Sequence, residues 1–199
     1  MKGLFLGAHS QFARSLLKNQ QWSHLLLQSQ RLTQLQEIVM TLPQGVSVEL
    51  FPCDFLQPEE TLLLNFQQLL TRFSHLDVIV LTVGSWNSFA AFEHLSLEEL
   101  YIAWQVNYFY PLSLLKQAIP LAKKGLKLIA WTLEDDLLKQ PLWTSMGPIL
   151  SAWEVLVTQI AQEQSWTLQL HKTSFMRSAQ SLKLFPSGNE CSVLPEIVL

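Results

Sequence analysis

The residues of this chain that could hold or transform a ligand stand at the ends of short apolar runs. The first run is Lys2-Gly-Leu-Phe-Leu-Gly7, where Leu4 to Leu6 reads as a strand buried on both faces. Gly7-Ala8 breaks it. From Phe12 a helical pattern starts, with Phe12, Ala13, Leu16 and Leu17 at helical spacing and Ser10 or Gln11 near the cap. A strand, a glycine turn and a helix form the first unit of a dinucleotide-binding βαβ. The free N–H groups at such a helix start can hold a pyrophosphate. Gly7, Ala8, His9, Ser10 and Phe12 are therefore candidate phosphate contacts. A second run, His24-Leu-Leu-Leu-Gln28, is followed by Ser-Gln-Arg31 with no acid for a ribose hydroxyl. Arg31 could instead pair a 2′-phosphate, which points to NADP. It also reads as a solvated residue opening the helix Leu32 to Met40.

Other chemistries find little support. Cys53 and Cys191 lie far apart and make neither a C-x-x-C nor a Cys–His metal spacing, so no metal site is expected. Glu134-Asp-Asp136 reads as a charged surface loop, and would repel an anionic ligand. The net charge is −3 and no basic cluster appears, which argues against nucleic acid.

These candidates need elements to position them. Val46 to Phe51 alternates as a third strand and leads to Asp54 and Phe55. Pro58-Glu-Glu60 opens an acidic-first helix whose Leu62, Leu63, Phe66, Leu69, Leu70 and Phe73 cover one sheet face. Leu76 to Gly84 is the fourth strand. Ser96-Leu-Glu-Glu99 starts a capped helix running to Leu121, with Asn107 four residues before Pro111. Gly125 to Thr132 is the fifth strand, Ser151 to Glu163 a helix, and Trp166 to His171 the sixth strand. Strands that alternate with helices require parallel crossovers. The fold class is therefore α/β: a single domain over residues 1–199, built as a doubly wound Rossmann-like sheet of order 3-2-1-4-5-6 between two helical layers.

The partial matches, taken in order, resemble the short-chain dehydrogenases/reductases over about residues 3–178, with a short tail at 179–199. Leu6-Gly-Ala-His-Ser-Gln-Phe-Ala13 is similar to that family's T-G-x-x-x-G-x-G turn. Gln11 stands at the second glycine and Ala13 at the third. Cys53-Asp54-Phe55 resembles the step whose Asp accepts a hydrogen bond from adenine. Leu76-Asp-Val-Ile-Val-Leu-Thr-Val-Gly84 resembles L-D-x-x-V-N-N-A-G, so the resemblance implies cofactor contacts at Val83 and Gly84. Leu81 and Thr82 replace the two asparagines that tie the strand end to its neighbours. Asn107 matches an asparagine that interrupts its helix in a proton relay, and Thr132 falls at the catalytic serine.

The resemblance then fails where the family's chemistry is concentrated. Reaction there needs a Tyr with a Lys four residues on, the ammonium lowering the phenol pKa for proton exchange. Here Met146 and Leu150 take those positions. Tyr101, Tyr108 and Tyr110 are followed four on by Gln105, Leu112 and Leu114. Thr173 to Ser178 lies over the nicotinamide-capping P-G-x-x-x-T without its Pro and Gly. Glycine is scarce as well, seven in 199 residues, about half the average share of roughly 7 %.

Three readings follow. One is an inactive relative serving as a binding or dimerising module. Another is an NADP-linked oxidoreductase using Thr132, Asn107 and His9. The third is a dinucleotide sensor. NADP would bind weakly, or no dinucleotide at all. Hydrophobic residues make up 49 % and charged residues 15 %, below the usual charged share of roughly 25 %. That favours a buried subunit interface: a homodimer or tetramer through residues 100–121 and 149–160, with Trp153 as anchor. No apolar stretch is long enough for a signal peptide or a membrane span, so a cytoplasmic location is expected.

Overall fold

The computed structural model describes residues 1–55, 58–82, 92–134 and 145–173. Six strands are described: β1 (Lys2–Leu6), β2 (His24–Ser29), β3 (Ser47–Pro52), β4 (Leu76–Leu81), β5 (Ala122–Leu133) and β6 (Thr167–Thr173). They form one sheet in the order β3-β2-β1-β4-β5-β6, and every neighbouring pair is parallel. The expected architecture is therefore present.

Among the described residues six α-helices join the strands: α1 (Gln11–Asn19), α2 (Leu32–Met40), α3 (Glu59–Leu70), α4 (Leu97–Trp104), α5 (Tyr110–Ala118) and α6 (Met146–Glu163). On one sheet face Ala13 and Leu17 of α1 and Leu35 and Ile38 of α2 pack with Phe5, Leu25, Leu27, Val78 and Val80. On the other, Leu62 and Phe66 of α3, Leu114 and Leu115 of α5 and Trp153 and Val157 of α6 pack with Leu4, Leu26, Ile79 and Leu128. Central strands with both faces covered must be apolar throughout, which is why Leu4 to Leu6 and Leu25 to Leu27 are continuous apolar runs.

Local chemistry sets the helix starts. The Ser10 side chain accepts the Ala13 N–H at 3.1 Å and caps α1. Ser96 and Glu99 form a full capping box at α4. One boundary differs from the sequence expectation in a way that affects the site. The helical stretch from Ser96 to Leu121, expected to be irregular at Asn107, is α4, then a π turn over Gln105–Phe109, then α5 and a 3-10 turn over Ile119–Leu121. Pro111 has no N–H to give the Asn107 carbonyl, and the Asn107 side-chain Nδ2 donates to the Ala103 carbonyl at 2.8 Å, so the regular α ladder is interrupted. The later helix starts at Met146 rather than Ser151. Met146 and Leu150 thus sit on its first turns, facing the end of β5.

Candidate functional site at the carboxyl ends of the strands

In an open parallel sheet ligands bind beyond the carboxyl ends of the strands, where the strand order reverses. That point lies between β1 and β4. The turn after β1 has Gly7 at φ +85°, a left-handed conformation that favours glycine. Both backbone polar groups of Gly7 are bound by buried side chains. Its N–H donates to Gln28 Oε1 at 2.9 Å, and its carbonyl accepts the Thr82 hydroxyl at 2.7 Å. Gln28 is buried and its Nε2 donates onward to the Cys53 carbonyl at 3.3 Å. Ala8 N–H donates to the Gln28 backbone carbonyl at 2.8 Å. Side chains therefore sew the ends of β3, β2, β1 and β4 together.

His9 extends this network. Ser29 donates its hydroxyl proton to Gln34 Oε1 at 2.6 Å, so His9 Nδ1–H is the donor to Ser29 Oγ at 3.1 Å. Burial, and then the Arg14 guanidinium nearby, hold the His9 pKa below its ordinary value of 6.5. Arg14 Nε donates to the His9 carbonyl at 3.0 Å. Ser10 is spent on capping. Gln11 is exposed at the start of α1. The N–H groups of Gln11 and Phe12 belong to the first helical turn and have no acceptor within the helix. Phe12 lays its ring against His171 at the end of β6, with centroids 4.4 Å apart.

The remaining candidates divide by position. Arg31 is the exposed residue before α2 and makes no side-chain cap. Phe55 is buried in the core, stacked on Tyr110 with ring centroids 5.7 Å apart. Asp54, just before it, is half-buried. Burial and the neighbouring Asp54 push the Cys53 thiol up to about 12, which leaves it protonated. Val83 and Gly84 lie outside the described residues. Thr82 was read as the loss of a tie between strand ends, and the structure corrects this. Its hydroxyl bonds both the Leu6 and Gly7 carbonyls, and its N–H donates to Leu6 at 2.8 Å. Gln28 was not singled out at all. The available signal was a polar residue ending the apolar run Leu25 to Leu27, because a buried amide must find partners.

At the β5 end Asn107 and Met146 do come together. The Asn107 Nδ2 lies 3.5 Å from the Met146 Sδ. Around them Ala103, Leu133, Met146, Ile149 and Leu150 form a buried apolar cluster, joined by the partly buried Trp104, Tyr108 and Trp131. Thr132 is 1 % exposed, and its Oγ1 has no hydrogen-bond partner. Among the described residues of this cluster no lysine stands beside Tyr108. Met146 and Leu150, which the sequence reading set against the family's Tyr and Lys, contribute a thioether and an aliphatic side chain to this cluster. Among the described residues no group of three or more His, Cys, Asp or Glu could hold a metal ion.

No family model matches the chain, and no curated protein matches it. Solved structures do. A short-chain dehydrogenase from Streptomyces avermitilis superposes with a TM-score of 0.69 at 18 % identity, over 85 % of this chain and 64 % of that one. An alcohol dehydrogenase from the archaeon Thermococcus sibiricus, complexed with 5-hydroxy-NADP, gives 0.68 at 22 % identity, over 86 % of this chain and 74 % of its own. An NAD+-bound xylitol dehydrogenase gives 0.71 at 14 %, over 90 % and 74 %. The chain thus has the fold of the short-chain dehydrogenases, and it spans 64 % of the length of the Streptomyces protein. Among the described residues no helix is long and apolar enough to cross a membrane.

Proposed function

We propose that the chain is a catalytically inactive relative of the short-chain dehydrogenases/reductases, a cytoplasmic binding module that associates with itself. The observation that carries this reading is the packing of Met146 and Leu150, 1 % and 3 % exposed, where proton exchange would need Tyr and Lys. Neither side chain can give or take a proton, and no described lysine belongs to the cluster around them, although Tyr108 packs at its margin. The residues present fit a dinucleotide only in part. The first-turn N–H groups of α1 suit a phosphate, but Gly7 is already bound on both sides and Gln11 brings a side chain to the turn. The ribose-holding ammonium is missing as well.

NADP therefore binds more weakly than about 100 μM, roughly −5.5 kcal/mol. Calorimetry with NADP, NADPH and NAD measures this, and a dissociation constant below about 1 μM would overturn the blocked-turn argument. Purified protein incubated with NADPH and a broad carbonyl panel should show no protein-dependent oxidation. Oxidation that disappears in Thr132→Val would favour the second reading, an NADP-linked oxidoreductase using Thr132 and Asn107. Micromolar binding without turnover would favour a dinucleotide sensor.

Self-association through the α4–α5 segment and α6 is part of the same proposal. Leu97, Tyr101, Ile102 and Phe109 on the first and Val155 on the second are exposed apolar residues that a homodimer or tetramer would cover.

A further inference from the structure

The sheet face under α1 carries a groove towards the amino ends of the strands, away from the glycine turn. Ala13 and Leu17 of α1 pack with Phe5, Leu25 and Leu27, and Leu16 lies on the flank of the helix that meets β4 and β5. The groove is there, a cavity of about 50 Å³. Val78, Val80 and Ile129 of the sheet form its floor, Leu16 and Trp22 its walls, and Lys127 completes the lining. Trp22 is a fixed wall. Its Nε1 donates to the Leu17 carbonyl at 3.1 Å, and its ring meets Phe5 edge-on with centroids 5.3 Å apart. Leu16 is half-buried and Gln20, also in the lining, is exposed, so the rim opens to water.

Charge and length define what fits. Lys127 is half-buried and is the only charged side chain of the lining. It pairs in register with Val78, at one end of the apolar floor. Lys123 is ion-paired with Asp77 and Lys172 with Glu154, whereas Lys127 has no acid partner among the described residues. A lysine lays its stem along apolar surface and keeps its ammonium at water, which sets a cation at the rim of an apolar slot. The slot is also short. β6 alternates: Leu168 and Leu170 pack against the core on the α6 side, while Thr167 and Gln169 pair in register with Lys127 and Ile129. Polar side chains therefore bound the apolar strip at β6. One water needs about 10–15 Å³, so 50 Å³ takes about four groups of methylene size. We infer that this groove binds a short unbranched aliphatic carboxylate, of about four to six carbons, by an apolar lining with one placed polar group. The chain lies against Val78, Val80, Ile129 and Trp22, and the carboxylate accepts a hydrogen bond from the Lys127 ammonium. The site is separate from the crevice at the carboxyl ends of the strands, and the inference does not rest on the reading of the chain as inactive.

Hexanoate is the probe, acetate its short comparator and hexanamide its uncharged one. Each is titrated into the full chain while the Trp22 indole N–H and the backbone amides of Val78 and Ile129 are followed by NMR. Hexanoate should shift these signals saturably, with a midpoint at or below about 5 mM. Each buried methylene tightens binding by about threefold to fourfold, so acetate should bind about tenfold or more weakly. Hexanamide should bind about fivefold or more weakly than hexanoate, and Lys127→Gln should weaken hexanoate by the same factor. Lys127→Arg, which keeps the cation, should stay within about threefold of wild type. Thermal melts establish that the variants fold, and the acetate and hexanamide comparisons on wild type decide the matter if Lys127→Gln does not. No saturable shift at about 20 mM hexanoate would overturn the inference. So would equal affinity for acetate or hexanamide, equal affinity in Lys127→Gln, or shifts centred on Gly7 and Ala8 instead.

Discussion

At the residue scale the glycine turn is held by partners that ligand-free folding already satisfies. Gln28 spends its carboxamide on two buried backbone groups, Gly7 N–H and Cys53 C=O. Replacing it with the similarly sized Leu leaves both unpaired. Gln28→Leu should lower stability by about 2–4 kcal/mol in urea unfolding. Burial also decides what Leu150 can be exchanged for. Leu150 is 3 % exposed in an apolar cluster, so Leu150→Lys buries an unpaired ammonium and should cost about 3–5 kcal/mol. A change within about 1 kcal/mol would mean that the cluster opens to water there. The histidines give a pH dependence. Burial is the main cause that lowers the pKa of His9, His24 and His171 from 6.5, with Arg14 adding to it at His9, Lys127 at His171, and Glu49 opposing it at His24. Above pH 6.5 these groups are neutral in both states and stability is complete. As pH falls through 6.5 the unfolded chain takes up protons that the folded chain refuses, so stability declines until the lower folded values are passed. Urea midpoints at pH 7.5 and 5.5 should therefore differ, with the lower midpoint at pH 5.5. His9→Gln should reduce that difference, and an unchanged difference would remove His9 from the account.

At the element scale much was legible because the signals are local. The runs Leu4 to Leu6 and Leu25 to Leu27, the Ser10 cap and the Ser96–Glu99 box each sit within a few residues, and the strand order follows from crossover geometry. The break at Asn107 was legible for the same reason, since Pro111 lies four residues on. What escaped was long-range. Nothing local says that Gln28 meets Cys53, 25 residues away, or that Thr82 meets Gly7, 75 residues away. α6 starts at Met146, five residues before the expected Ser151. Pro148 in fact falls in the first turn, where its missing N–H costs nothing. Tight packing at the other end of β1 yields a test. A Cβ on Gly3 would lie 2.7 Å from the Trp22 ring, which is itself held by a 3.1 Å hydrogen bond from its Nε1 to the Leu17 carbonyl and by an edge contact with Phe5. Gly3→Ala should destabilise by about 1–3 kcal/mol, read from thermal or urea unfolding. A neutral result would show that Trp22 can retreat.

At the scale of the whole molecule the open question is what covers the outer surface of α4, α5 and α6. Trp153 was the expected anchor of a subunit interface, because α6 carries more apolar residues than one core-facing stripe requires. The structure assigns it otherwise. Trp153 is 4 % exposed, packed within the core and in an edge contact with Tyr108 at 5.9 Å. Trp153→Glu should therefore unfold the domain rather than separate subunits. The residues left outside are different ones: Leu97 at 85 %, Tyr101 at 62 %, Phe109 at 50 % and Val155 at 58 % exposure. Phe109 follows from the π turn. The extra residue in that turn shifts the helix face and places the ring outward, against Trp104 and Tyr108, with Tyr110 turned into the core. Single exposed apolar residues need no explanation, but four on the segments proposed to pair do. An aromatic residue at such a position concentrates interface energy, and a two-fold axis would bury two copies of it at once. Phe109→Glu should give folded monomer, with circular dichroism unchanged and the mass by light scattering halved for a dimer. Trp153→Glu, measured beside it, should lose its helical signal. A wild-type chain that runs as a monomer at micromolar concentration, or a Phe109→Glu variant that keeps the wild-type mass, would show that this surface faces water or another partner.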